Sequence, residues 1–239
     1  MTMVKYERDW TAIQDGDGVP APVGAPVRPG RQEGRQETAD SAATTPCFTP
    51  GTQIATARGA VAVEDLAPGD RVVTRDNGLQ EVRWVGAKRM SGRDLLRRPH
   101  LRPVLIRQGA LGNGQPAQDM LLSPNHRVLV ASDQTQLYFE EREVLCSAKH
   151  LINNRGIQAV QTTGTTYVHF MFDRHEVVLS DGAWSESFQP GDHSLRGIGA
   201  AQRQEILELF PELRGKPGLE GFLAARRVLT RTEARRLQE

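Results

Sequence analysis

A cysteine that heads an ordered stretch of chain can attack the carbonyl just upstream of itself and turn an amide into a thioester. Cys47 stands at such a place. It is one of only two cysteines in 239 residues. It opens the stretch CFTPGTQIATARGAVAVEDLAPGD directly after a polar, Pro-rich leader. A lone thiol with histidines further along the chain is a candidate nucleophile. The plainer alternative is a small buried hydrophobe, the commoner fate of a free cysteine. Several histidine-bearing segments lie downstream. His126 sits in LLSPNHRVLV, His150 in EVLCSAKHLI, and His169 and His175 in the run YVHFMFDRHEVV. On an uninterrupted strand the even offsets from His169 to Asp173 and His175 put all three on one face. Cys146 and His150 have helical spacing, but no second pair completes a tetrahedral metal set. No metal or other cofactor is expected.

The elements that must position these groups are mostly short strands. Residues 1–46 form a leader rich in Pro, Gly and polar residues. It has too little apolar surface to offset the entropy of ordering and is expected to be flexible or polyproline-like. From Cys47 to about Pro190, short β-rich runs alternate with turn signals. RVVTRD and LQEVRWVGAKRM flank Asn77–Gly78, a hairpin signal. Further strands are predicted over 104–107, 119–122, 126–131, 157–161 and 166–179, with a short helix or turn over 148–154. The pattern predicts a compact all-β domain over 47–190. Residues 191–239 are expected to form a helical tail. QRQEILELFPEL has apolar residues at helical spacing, and a second helical stretch is read from Gly218 to the end.

Composition excludes several classes of function. A net charge of +1 gives no electrostatic case for nucleic acid or for an anionic membrane. Two cysteines make no disulfide framework. The first residues hold no apolar run of signal-peptide length, and no stretch approaches the ~20 apolar residues that span a bilayer. A soluble protein is expected, cytoplasmic or exported by a signal-independent route.

The motifs resemble those of Hint modules, the autoprocessing domains shared by Hedgehog proteins and inteins, in a form similar to the bacterial Hint-domain proteins. The opening block carries the likeness: Cys47-Phe48-Thr49-Pro50-Gly51-Thr52-Gln53-Ile54, then Gly59, Val63-Glu64-Asp65-Leu66 and Pro68-Gly69-Asp70-Arg71-Val72. LLSPNHRVLV is similar to the family's Thr-x-x-His block, with Ser123 in the Thr place and His126 as the histidine. EVLCSAKHLI resembles the segment before a late strand. DRHEVVLSDGAWSES is similar to the intein C-terminal block, with His175, Gly182 and the Ser185–Glu186 pair at corresponding places. The likeness runs from about Cys47 to Phe188 and implies a Hint-type β-fold.

The resemblance also implies roles. Forming a thioester loses amide resonance, so the protein must distort the bond, stabilise the oxyanion and protonate the departing amine. Cys47 is the implied nucleophile, His126 the proton donor to its amine, and Ser123 the group that orients the Pro46–Cys47 peptide. Asp173 and His175 are candidates for a base or for activating the incoming nucleophile. The implied substrate is the chain's own N-terminal segment, in cis, with water or a small nucleophile as acceptor. Two departures matter. Glu186 stands at the expected Asn place, and a carboxylate has no amide nitrogen with which to cyclise, so cleavage without full splicing is expected. Pro46 restricts Thr45 to extended conformations. The tail carries no sterol-recognition region like that of Hedgehog proteins. Two other readings stand beside this one: a non-catalytic Hint-fold scaffold or binding module, and a cysteine hydrolase acting in trans.

Overall fold

The computed structural model describes residues 45–191, 194–195, 198–215, 218 and 221–237. The chain divides into two units, Met1–Arg35 and Gln36–Glu239, and all described residues belong to the second. The leader, read above as residues 1–46, lies outside the described residues except for Thr45 and Pro46.

Thirteen strands are described: β1 Gln53–Thr56, β2 Gly59–Ala62, β3 Arg71–Thr74, β4 Gly78–Glu81, β5 Trp84–Ser91, β6 Val104–Ile106, β7 Met120–Leu122, β8 Arg127–Ala131, β9 Glu143–Ser147, β10 Ile157–Ala159, β11 Gly164–Met171, β12 Val177–Ser180 and β13 Ala183–Glu186. Four α-helices join them: α1 Gly92–Arg97, α2 Asp133–Phe139, α3 Ala200–Leu209 and α4 Arg231–Arg235. The strands pair antiparallel throughout. The fold is all-β.

The larger sheet runs β2-β1-β3-β12-β13-β8-β9, with β4 on β3. The Asn77–Gly78 signal marks the β3–β4 turn, and Gly78 takes φ 65°, a left-handed conformation that glycine adopts without a Cβ penalty. The expected single run over 166–179 is two strands, because the polar Asp173–Arg174 pair breaks the apolar alternation between β11 and β12. Helices α1 and α2 were not expected. Each is six or seven residues long, too short for an apolar period to show, and each opens on a serine capping box, Ser91 with Asp94 and Ser132 with Thr135.

Two smaller ribbons, β10-β6-β7 and β11-β5, are joined by one residue. Phe48 bridges Leu122 on one side and Val168 on the other. Its N–H donates to the Val168 carbonyl at 2.8 Å, and the Val168 N–H donates back at 2.9 Å. The Phe48 ring stacks on Phe170 and enters the main core with Ile54, Val72, Leu122, Val128 and Val178.

The tail is helical in part. α3 packs Ile206 and Phe210 against Trp84, Met171 and Phe188. Trp84 also donates its indole N–H to Glu205 at 3.1 Å. Within the stretch read as a second long helix, α4 is a helix capped by Thr230 and Glu233. Ahead of α4 the chain bridges the edge of β9 at Val228. The Leu145 N–H donates to the Arg227 carbonyl at 2.8 Å, and the Leu229 N–H to the Leu145 carbonyl at 2.9 Å. Pairing with the edge of β9, and burial of Leu229 with Phe139 and Val144, outweigh the local helical preference.

Gly86 shows how tightly this side is built. A Cβ there would stand 2.3 Å from the Trp84 ring. Gly86→Ala is therefore expected to lower stability by about 1–3 kcal/mol, as overpacking does, read as a drop in the urea midpoint at unchanged slope.

Candidate functional site

The register around Phe48 decides what surrounds Cys47. Stepping one residue from the Phe48–Leu122 and Phe48–Val168 bridges sets Cys47 opposite Ser123 on one side and opposite His169 on the other. Opposed residues of antiparallel strands share a face. Continuing across β11–β5, His169 pairs with Gly86 and Tyr167 with Lys88. Phe48 and Val168 point into the main core. Cys47 lies on the other face and packs with Met90, Leu95, Leu101 and Tyr167.

Ser123 pins the Pro46–Cys47 peptide. The Cys47 amide N–H donates to Ser123 Oγ at 2.9 Å, and the Ser123 N–H donates to the Cys47 carbonyl at 3.0 Å. The Ser123 hydroxyl in turn donates to the Thr45 carbonyl at 3.2 Å. The Cys47 thiol points at the same carbonyl, with Sγ 3.3 Å from the Thr45 oxygen. Thr45, Pro46 and Cys47 are all buried. Burial pushes the Cys47 thiol well above its ordinary range, and the hydroxyl of Ser123 and the charge of Lys88 offset this only in part. The resting group is a thiol.

His126 reaches the site from the turn that follows Ser123. Its own N–H donates to the Ser123 carbonyl at 3.0 Å, and its carbonyl accepts from Ala148. The ring is 1% exposed and meets the Phe48 ring edge-on at 4.3 Å. Neither ring nitrogen makes a well-formed hydrogen bond. Burial holds its pKa down to about 4, with Glu186 and the Cys47 backbone pulling the other way. His126 is a neutral imidazole at pH 7.

The C-terminal block makes a second, separate arrangement. Glu186 is fully buried and accepts from the Arg127 N–H at 2.8 Å and from Arg127 Nη1 at 3.0 Å. His175 Nε2 lies 3.3 Å from Glu186 Oε2. The Ala225 N–H donates to His175 Nδ1 at 2.9 Å, so Nδ1 carries the lone pair and Nε2 the proton that faces Glu186. Burial works to raise the Glu186 pKa, but Arg127 and His175 outweigh it and hold the carboxyl below its usual range.

The geometry thus gathers Cys47, Ser123 and His126. His175 sits with Glu186 and Arg127, next to them rather than on the peptide. Asp173 lies apart: its side chain is 73% exposed and faces Arg83 Nε at 3.3 Å. The expected single face of His169, Asp173 and His175 does not form, because β11 ends at Met171. Arg127 and Glu186 were not read from the sequence as an ion pair. Their link is visible only once β8 and β13 are side by side. Among the described residues no group of His, Cys, Asp and Glu could hold a metal ion, and no helix is long and apolar enough to cross a membrane.

A short-stranded antiparallel fold that holds its leading cysteine amide on Ser123, with His126 in the turn that follows, defines a Hint-type module, the autoprocessing and splicing-related class. A family model described as Hint domain matches residues 46–192, and the chain belongs to that family. Solved structures similar to it include a bacterial intein-like domain from Clostridium thermocellum, at 16% identity and a TM-score of 0.38, covering 59% of this chain and 97% of that one. Another is a DnaB intein from Synechocystis, at 10% identity and a TM-score of 0.36, covering 59% of this chain and 98% of that one. A search of curated proteins found no match.

His169 resembles His126 in its surroundings. It is 2% exposed, and burial lowers its pKa to about 4. Both pKa values lie below the ordinary ~6.5 of an unfolded histidine. The folded state therefore binds fewer protons, and the stability these groups confer is complete above pH 6.5 and lost as pH falls toward 4. Between pH 6.5 and 5 each histidine is expected to cost about 2 kcal/mol at 1.36 kcal/mol per unit. Urea midpoints at pH 7.5 and 5 check this, and His126→Gln and His169→Gln should each flatten the slope.

Proposed function

We propose that this chain is an autoprocessing Hint domain that cuts its own Pro46–Cys47 bond through a thioester and does not splice. The observation that carries the reading is the Cys47 amide held at 2.9 Å on Ser123 Oγ, with His126 in the turn that follows Ser123. Sγ attacks the Pro46 carbonyl carbon. The Ser123 contact keeps the amide from swinging away as the carbon becomes tetrahedral. His126 relays a proton to the nitrogen of Cys47, which leaves as a free amine. Water or a small thiol then takes the acyl group, and residues 1–46 depart.

The C-terminal block supports cleavage without splicing. Glu186 is committed to Arg127 and His175, and the backbone of Ala225 occupies the other nitrogen of His175. A carboxylate so placed neither cyclises nor frees the chain that follows. Burial of Cys47 at 4% exposure argues against hydrolysis of added peptides, which could not reach the thiol. The same burial, with the thiol pKa raised, favours the second reading, a Hint-fold scaffold without activity.

Mass spectrometry of the purified full chain with dithiothreitol or hydroxylamine separates them. Loss of residues 1–46 is expected, abolished in Cys47→Ala and slowed about 10–100-fold in Ser123→Ala. A wild-type chain that stays intact and matches Cys47→Ala would make the scaffold the better account. Because the thiol pKa is raised, the thiolate fraction climbs about tenfold per pH unit through the range just above neutrality. The cleavage rate should follow that slope from pH 7 to 9. A plateau beginning near pH 8.5, the pKa of an ordinary thiol, is the contrary result.

A further inference from the structure

We infer that His169 is a second catalytic histidine of this site, donating a ring N–H to the Pro46 carbonyl oxygen as that oxygen gains negative charge. The inference rests on the autoprocessing reading above and assigns the group that holds the oxyanion.

The pairing register supplies the position. Ser123, Cys47 and His169 form one row across three adjacent segments, so the scissile peptide has Ser123 and His126 on one flank and His169 on the other. Pro46 is the residue next to that row. Its backbone lies close enough to the imidazole to act on its titration, against the larger effect of burial.

The ring is costly to keep there for packing alone. Both nitrogens of His169 are buried and make no well-formed hydrogen bond at rest. Burying an unsatisfied polar group is unfavourable, a cost that a leucine or phenylalanine of similar size would avoid. A donor that is idle in the ground state and engaged when charge develops contributes to the rate.

The ring is also held in orientation. Trp84 stacks parallel to it, with centroids 6.1 Å apart and planes 3° apart, and Phe188 closes a second side at 5.9 Å. Gly86, paired with His169 on β5, leaves the space that the Trp84 ring fills. Helix α3 backs Trp84 through Ile206 and Glu205. Cys47, Tyr167 and Lys88 share this face with His169, and Lys88 helps to keep the imidazole uncharged.

In the step itself the Sγ–C bond to Pro46 forms while the carbonyl π pair moves to oxygen, where the His169 N–H meets it. The oxyanion then collapses, and the C–N bond to Cys47 breaks. The thiol proton ends on the departing amine. Nothing is oxidised or reduced, and His169 keeps its own proton throughout.

Thiol-induced cleavage of the full chain tests the assignment, with melting temperatures taken alongside. His169→Leu fills the same space without a donor and should cleave about 10²–10³-fold more slowly, the cost of a lost oxyanion donor. His169→Gln keeps an N–H and should stay within about tenfold of wild type. Equal losses in both variants at unchanged melting temperature, or a Leu variant as fast as wild type, overturn the assignment and leave self-cleavage standing. A wild-type chain that does not cleave takes down both. Should the Leu variant fail to fold, ¹⁵N histidine spectra of full-length Cys47→Ala at pH 7 decide. A ring whose protonated nitrogen faces Pro46 supports the donor role, and a neutral tautomer that turns its bare nitrogen to Pro46 overturns it.

Discussion

The two hydrogen bonds between Phe48 and Val168 hold the rest in place. They fix the one residue that joins the two ribbons, and the neighbours of Cys47 follow from it by register. Because side chains alternate along a strand, placing the Phe48 ring in the main core forces Cys47 to the opposite face. Because opposed residues share a face, Ser123 and His169 are then brought to Cys47 with no further information. A slip of one residue would send the thiol into the core and the phenyl ring to the peptide. The large apolar ring is thus what sets the position of the small reactive group beside it.

Charge at this centre is kept low by burial and supplied from the side. The thiol is protonated and both flanking imidazoles are neutral at pH 7. The ions sit one layer out. Glu186 and Arg127 form a closed pair on β13 and β8, and Lys88 stands on β5. A low dielectric around the peptide strengthens the pull of these charges on the groups that must change protonation.

Much of this was legible in the sequence, and the limits have physical causes. The Cys47 block, the Ser123–His126 pair and the β-rich texture are local signals, readable from turn residues and alternation. Asn77–Gly78 marked its hairpin for the same reason. What the sequence did not reveal depends on pairing between distant strands. His169 belongs opposite Cys47, 122 positions away in the chain, yet spacing alone grouped it with Asp173 and His175. The Arg127–Glu186 pair needs β8 beside β13. The segment before α4 was read as helix, and its bridge at Val228 depends on the open side of β9, a pairing that local composition does not carry.

That last pairing has a bearing on how the molecule meets others of its kind. β9 is the outer strand of the larger sheet, and an outer strand offers a row of unpaired amides and carbonyls to any passing chain. The segment around Val228 takes up that row in parallel, and Arg226 fastens it with bonds to Asp76 and Glu143. An outer strand left bare would recruit stray chains edge to edge. By spending its tail on its own margin, the fold closes the side on which such recruitment would start.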